Sequence, residues 1–364
     1  MFYRILKKDL LRRKGVNVIL FLFITIATIF LASSVNNILV VSSAIDHYTS
    51  YSKIPGVNFI MRGETENEKV EKWLDSQYGD IKEYGKSSLI ALNDQDIKII
   101  KNGKKKEYDT AGTSVYISAV GMEYCKVFDP DGKSFSLKAG QAAMTRDAME
   151  RNHLKTGDKI VISVGDTEKE LTVAQQMKDA AFGNDMTGMN RIILSKEDYH
   201  TFHKDEHAED ISMYLVMTDH ETEFVRALNE QDFTTVLSTV TKGTYDMIYS
   251  FDMIMAALLI LVGICLILIA LLVLRFTLVF TMEEEYREIG IMKAVGFRNF
   301  VVKKVYLVKY LVLVSAGTVV GFTVSVPVSR AMVKSVSRNM IMEDSGSNLW
   351  VNLICSGCII FLVM

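Results

Sequence analysis

The sequence is poor in the residues that build disulfide-stapled, linker-rich or nucleic-acid-binding proteins. Only 4 of its 364 residues are cysteine. Cys265, Cys355 and Cys358 lie in apolar stretches, which leaves Cys125 alone in polar sequence, so no disulfide framework can be drawn. With 3 prolines and no low-complexity tract, the chain reads as folded throughout rather than linker-rich. A net charge of −2 provides no basic stripe to neutralise phosphates, and this argues against nucleic acid as a partner. Charge is also missing locally: Val18–Val35 and Met253–Leu274 contain no charged side chain. An uncharged apolar run of about 18 residues or more is long enough to cross a bilayer as a helix. The chain is therefore read as a membrane protein, although its 49% hydrophobic content would suit a soluble one.

Four spans are expected. The first, 16–41, follows a leader, 1–15, in which Phe2, Ile5, Leu6, Leu10 and Leu11 have helical spacing among basic residues, a pattern suited to a headgroup layer. Ala32-Ser33-Ser34 imitates a signal-peptide cleavage site, but the apolar core is longer than such a leader needs. The second span is 249–280 and the third 303–329, with Gly317 and Gly321 spaced for close helix packing. The fourth starts at Leu349 and is still apolar at Met364, as though cut inside the membrane. Lys and Arg near the spans set orientation. The leader holds six and the 281–302 loop with its flank five (Arg287, Lys293, Arg298, Lys303, Lys304), against three (Arg330, Lys334, Arg338) in 330–348. This bias puts the leader and 281–302 in the cytoplasm and residues 42–248 outside. Tyr249 and Trp350 fall where interfacial aromatics are expected.

Residues 42–248 carry mixed signals. Val70, Trp73 and Leu74 have helical spacing within 63–79, and Asn102-Gly103 and Gly165-Asp166 each sit between alternating segments, as in hairpins. Ser195 to Asp198 has capping-box spacing that starts a helix expected to run to about His207. The fold class is thus an α-helical transmembrane bundle with a large external α+β domain between spans one and two. On that helix His200, His203 and His207 would share a face, the one grouping with metal-ligand spacing, in acidic surroundings that read as a solvated surface. Gly85-Lys86-Ser87 resembles the end of a phosphate-binding loop, but Asp80 takes the place of its first glycine. Cys355-x-x-Cys358 has redox spacing without a basic neighbour to form a thiolate. No catalytic set is legible, so no enzyme is expected. A membrane-anchored enzyme would have the histidines as its sole support.

The informative segment is TMEEEYREIGIMKAVGFRNF, 281–300. Its apolar residues recur on adjacent helical turns, and a helix of about ten residues between two spans has no core of its own. Glu283 to Glu285 would be repelled by an anionic inner leaflet, so its apolar face calls for a protein partner. Glu288-Ile289-Gly290, Lys293-Ala294 and Gly296 resemble the E-I-G-x-x-[KR]-A-x-G signature of FtsX/MacB-type ABC transporter permeases. The order of one span, a large external domain and three spans is similar to theirs, as is the Leu154-x-x-Gly157-Asp158 element. Lys309, where such permeases often carry glutamate, and Phe297 depart from the pattern.

The resemblance implies that Glu284, Tyr286, Arg287, Glu288, Ile289, Gly290, Ile291, Met292, Lys293, Ala294, Val295 and Gly296 form a coupling helix that docks on a separate ATPase subunit. ATP and Mg would be bound by that partner, with no cofactor on this chain. It implies a bacterial cytoplasmic membrane, a second permease copy or the second half of a longer chain, surrounding lipids, and a substrate or partner at the outer face. Two roles stay open: export or extraction of a peptide or lipid-like substrate, or a scaffold that activates a cell-wall hydrolase or senses an antimicrobial peptide.

Overall fold

In a computed structural model of the chain, the described residues are 14–77, 81–101, 103–284, 286, 287, 290, 294, 299–342 and 349–363. They divide into two units. One comprises Met1–Ser43, Phe251–Val336 and Asp344–Met364; the other, Ala44–Ser250 with Ser337–Glu343.

The first unit is helical. Helix α1, Lys14–Tyr51, contributes its residues up to Ser43, and α7 (Phe251–Glu284), α8 (Asn299–Asn339) and α9 (Leu349–Val363) supply the rest. Leu20, Ile24 and Ala27 of α1 pack with Ile267, Ala270 and Leu274 of α7 and with Tyr310 and Val314 of α8. Leu258, Leu261, Leu268 and Leu272 of α7 are more than half exposed. So much open apolar surface is untenable in water, and lipid is the solvent that accepts it. Among the described residues, three helical stretches are long and apolar enough to cross a bilayer: Asn17–Tyr51, Met253–Thr277 and Tyr310–Arg338. The expected fourth span corresponds to α9, whose 15 residues extend only about 22 Å against a hydrocarbon core of about 30 Å.

The second unit is built on a mixed sheet of twelve strands among the described residues. The strands are β1 (Val57–Arg62), β2 (Glu83–Leu92), β3 (Ile97–Lys101), β4 (Lys104–Glu107), β5 (Ser114–Ala119), β6 (Val127–Phe128), β7 (Gln141–Thr145), β8 (Lys159–Val164), β9 (Thr167–Asp179), β10 (Met189–Leu194), β11 (Glu209–Met217) and β12 (Val236–Thr241). Their order is β12-β1-β11-β2-β5-β10-β7-β9-β8-β3-β4, with β6 paired to β9. Both expected hairpins form: β3 pairs with β4 across Gly103, and β8 with β9 across Gly165. Both glycines have positive φ, the backbone that tight turns demand and side chains disfavour.

Five helices decorate the sheet: α2 (Asn67–Ser76), α3 (Arg146–Arg151), α4 (Lys196–His203), α5 (Glu221–Asn229) and α6 (Lys242–Tyr249). Helices cover two of the apolar clusters that the sheet carries among the described residues. Val70 and Leu74 of α2 and Phe224 and Leu228 of α5 cover Phe59, Met61, Tyr214 and Val216 of β1 and β11. Ala148 and Met149 of α3 and Phe202 of α4 close a larger core over Ile90, Ile117, Ile160, Ile162, Val173 and Ile192. On α2 and α5 the contacts come from apolar residues at i and i+4, as amphipathic spacing requires.

Candidate functional site

The end of β9 is where the second unit concentrates its buried polar groups. Alternation along TEKELTV half-buries the start of the strand, whereas Met177, Lys178 and Asp179 at its end are all buried. Asp179 is ion-paired with Arg191 of β10, Oδ2 to Nε at 2.6 Å, and neither side chain has any exposure. A buried pair survives only when its remaining valences are met. Asp179 Oδ1 accepts from the backbone N–H groups of Ala181 and Phe182, both at 3.0 Å. Arg191 Nη2 donates to the Cys125 carbonyl at 2.5 Å, Nη1 touches the Met122 sulfur at 2.9 Å, and the guanidinium lies over the Phe182 ring. Burial pushes the Cys125 thiol up to about 12.

The chain segments that lead to or from the apolar helices meet this short stretch. The last two turns of α1 lie in the second unit. Tyr48 meets the Tyr249 ring edge-on, Tyr51 stacks on Phe128 of β6 at 4.6 Å, and the Lys126 N–H donates to the Ser52 carbonyl at 2.8 Å. At the end of α6, immediately before α7, the Tyr249 hydroxyl donates to the Ala180 carbonyl at 3.0 Å. At the end of α8, Lys178 Nζ donates to the carbonyls of Ser337 (2.8 Å) and Met340 (3.1 Å). The last carbonyls of a helix have no partner within it, and a cation there also answers the helix dipole. Burial lowers the pKa of Lys178, opposed by the nearby Asp131 and Asp129 carboxylates. Arg338 reaches Glu150 of α3 at 3.4 Å, and Gly132 lies against Ile341. Lys178 and Ala180 thus bond the ends of α8 and α6, and α1 reaches the same stretch through Tyr249 and through Phe128, which pairs with Lys178.

Within the helical unit, Gly317 and Gly321 of α8 sit against α1. A Cβ at Gly317 would stand 3.2 Å from Ile24 Cγ2; one at Gly321 would be 2.6 Å from Thr28 Cβ and 2.8 Å from the Thr25 carbonyl. Thr25 Oγ1 donates to the Gly317 carbonyl at 3.2 Å, which adds a polar tie to the close approach.

Of the expected coupling segment, Glu284 closes α7, and Tyr286, Arg287, Gly290 and Ala294 are helical and exposed. Glu288, Ile289, Ile291, Met292, Lys293, Val295 and Gly296 lie outside the described residues. The histidine expectation is corrected. Ser195 does cap α4, its Oγ accepting from the Asp198 N–H at 3.0 Å, but the helix stops at His203 rather than reaching His207. Asp198 is not the reciprocal half of a capping box: its carboxylate accepts from Ser195 Oγ, the Gly140 N–H and Lys169. Beyond the break, His203 pairs with Asp210 and His207 with Asp205. No metal-ligand group of three forms among the described residues. Gly85-Lys86-Ser87 lies along β2, with no loop to cradle a phosphate. The Leu154–Asp158 element is the turn into β8: Gly157 takes a positive φ and its N–H donates to the Val173 carbonyl. Tyr249, expected at an interface, is buried with its hydroxyl engaged.

Lys178, Asp179 and Arg191 escaped the sequence reading. The one signal was an arginine inside MNRIIL, a strand buried at every position; a charge in a fully apolar run calls for a partner, but not for a particular one.

Residues 247–364 match the FtsX-like permease C-terminal family. No curated protein matches the chain. Among solved structures, the periplasmic region of MacB from Actinobacillus actinomycetemcomitans is similar at 8% identity and a TM-score of 0.29, over 57% of this chain and 98% of that one. A chain from Bacillus anthracis described as a lipoprotein gives 11% identity and a TM-score of 0.27, over 50% and 96%. A domain from Porphyromonas gingivalis described as part of a permease gives 7% and 0.25, over 50% and 83%. The stretch that matches the FtsX-like permease C-terminal family, residues 247–364, is the one that holds helices α7 to α9 and the signature at 288–296.

Proposed function

We propose that the protein is the permease subunit of an ATP-binding cassette complex, in which a separate cytoplasmic ATPase docks on the 284–296 helix and drives the domain built from residues 44–250. ATP and Mg belong to that partner, and this chain relays motion rather than performing chemistry. The leader and the 281–302 loop face the cytoplasm in this reading, on the strength of their Lys and Arg excess. The observation that supports it is the bonding of the α8 and α6 ends at Lys178 and Ala180, with α1 packed against Tyr249. A stiff, hydrogen-bonded anchor suits a part that must follow its helices, because packed cores shift between discrete arrangements rather than yielding. Asp179 and Arg191 lie on strands that flank β7, so a displacement there is passed to the centre of the sheet. A peptide or lipid-like substrate, exported or extracted at the outer face by a pair of such permeases, is the cargo that goes with this reading.

The test is ATPase coupling in the reconstituted complex. Glu288→Lys and Gly290→Leu are expected to abolish stimulated ATP hydrolysis while membrane insertion stays intact. Undiminished stimulation in both variants refutes the docking role.

A further inference from the structure

Met122, whose sulfur meets Arg191 Nη1, lines a cavity that Arg191 also borders. The turn after β5, the Ser134-Phe135 segment and β10 enclose about 190 Å³, walled by Val120, Met122, Val127, Phe135 and Ile193 beside Arg191. That is below the roughly 300–1,000 Å³ of a drug-sized pocket, so the space suits a group the size of one amino-acid residue. Lys126 lines it as well.

The hydrogen bonds of Arg191 are uneven. Nε and Nη2 meet oxygen acceptors at 2.6 and 2.5 Å, whereas Nη1 meets only the thioether sulfur of Met122, which itself lines the cavity. A thioether is a weak acceptor, while a guanidinium makes its strongest bonds to carboxylate oxygens. Asp179 meets the guanidinium at Nε and not at Nη1, and its other oxygen holds two backbone N–H groups. Met is also the side chain that moves aside most readily. The geometry points to a binding site for a carboxylate on a small apolar body, its oxygen replacing the Met122 sulfur at Arg191 Nη1 and its body seated against Phe135 and Val127. The carboxylate could belong to a free small acid or to the last residue of a peptide. The inference stands on the cavity alone and does not depend on the docking of an ATPase.

The experiment uses the full-length chain in detergent micelles with ¹³C-methyl methionine, the Met122 resonance being assigned by Met122→Leu. The probes are N-acetyl-L-valine, its carboxamide, and a tetrapeptide ending in valine as free acid and as amide. Saturable displacement of the Met122 resonance is expected with N-acetyl-L-valine, at least about tenfold weaker with the amide, since a charge-assisted bond is lost. Ser134→Trp, which adds bulk at a lining residue outside the ion pair, is expected to abolish the response while unfolding like the parent. A response to the tetrapeptide acid as well identifies a chain terminus as ligand; a response to N-acetyl-L-valine alone identifies a free acid. No saturable shift up to the solubility of the probes, equal response to acid and amide, or unchanged binding in a folded Ser134→Trp variant would overturn the assignment.

Discussion

Replacing Lys178 with methionine isolates the tie between β9 and the end of α8. The substitution keeps an unbranched, mostly apolar stem in a position that is 8% exposed, and removes the donor to the Ser337 and Met340 carbonyls. A hydrogen bond from a charged donor contributes about 1.5–3 kcal/mol, and an orphaned buried carbonyl costs about 1–3 kcal/mol. Relief of the burial penalty on the ammonium, visible in its lowered pKa, returns part of this. A local loss of about 2–3 kcal/mol follows, or roughly a 30- to 150-fold rise in the open population of that segment. The assay is amide hydrogen exchange by mass spectrometry on the full chain in detergent, with peptides covering 337–342. Exchange should accelerate there, while the β2–β11 ladder, which shares no residue with the tie, keeps its protection. Lys178→Arg should restore part of it. Unchanged exchange at 337–342 in a folded Lys178→Met protein, or equal loss across the β2–β11 ladder, would refute the reasoning.

Two further perturbations follow from measured approaches and burial. Gly321→Ala should destabilise the helical unit by about 1–3 kcal/mol, because its new methyl meets Thr28 and a backbone carbonyl closer than 3 Å; Gly317→Ala, whose methyl would stand 3.2 Å from Ile24 Cγ2 and 3.3 Å from the Phe21 carbonyl, should cost less. Unfolding in mixed micelles ranks the two, and the reverse order would contradict the seam. Cys125 gives a pH dependence. Its thiol is held at about 12 in the fold, so above about pH 9 the unfolded chain releases a proton that the folded chain retains. The stability it contributes is complete below that point and falls as pH rises, by about 1.4 kcal/mol per pH unit towards pH 12. Cys125→Ala should flatten denaturant midpoints between pH 9 and 10.5 by that slope; identical slopes in parent and variant would show the thiol to be accessible.

The sequence by itself determined what depends on neighbours along the chain. Uncharged runs marked the apolar helices because lipid tolerates no isolated charge, and hairpins were legible at Gly103 and Gly165 because tight turns need positive φ. Ser195 announced α4 because capping is a three-residue event. Even there the helix ended at His203, where Asp205 and Asp210 offered His207 and His203 separate partners. Tertiary structure alone decided the rest. Lys178 meets carbonyls 159 and 162 residues away, and Arg191 meets the Cys125 carbonyl 66 residues away. A buried charge states only that it must be paired; which partner it finds is settled by the path of the backbone, to which no local propensity refers.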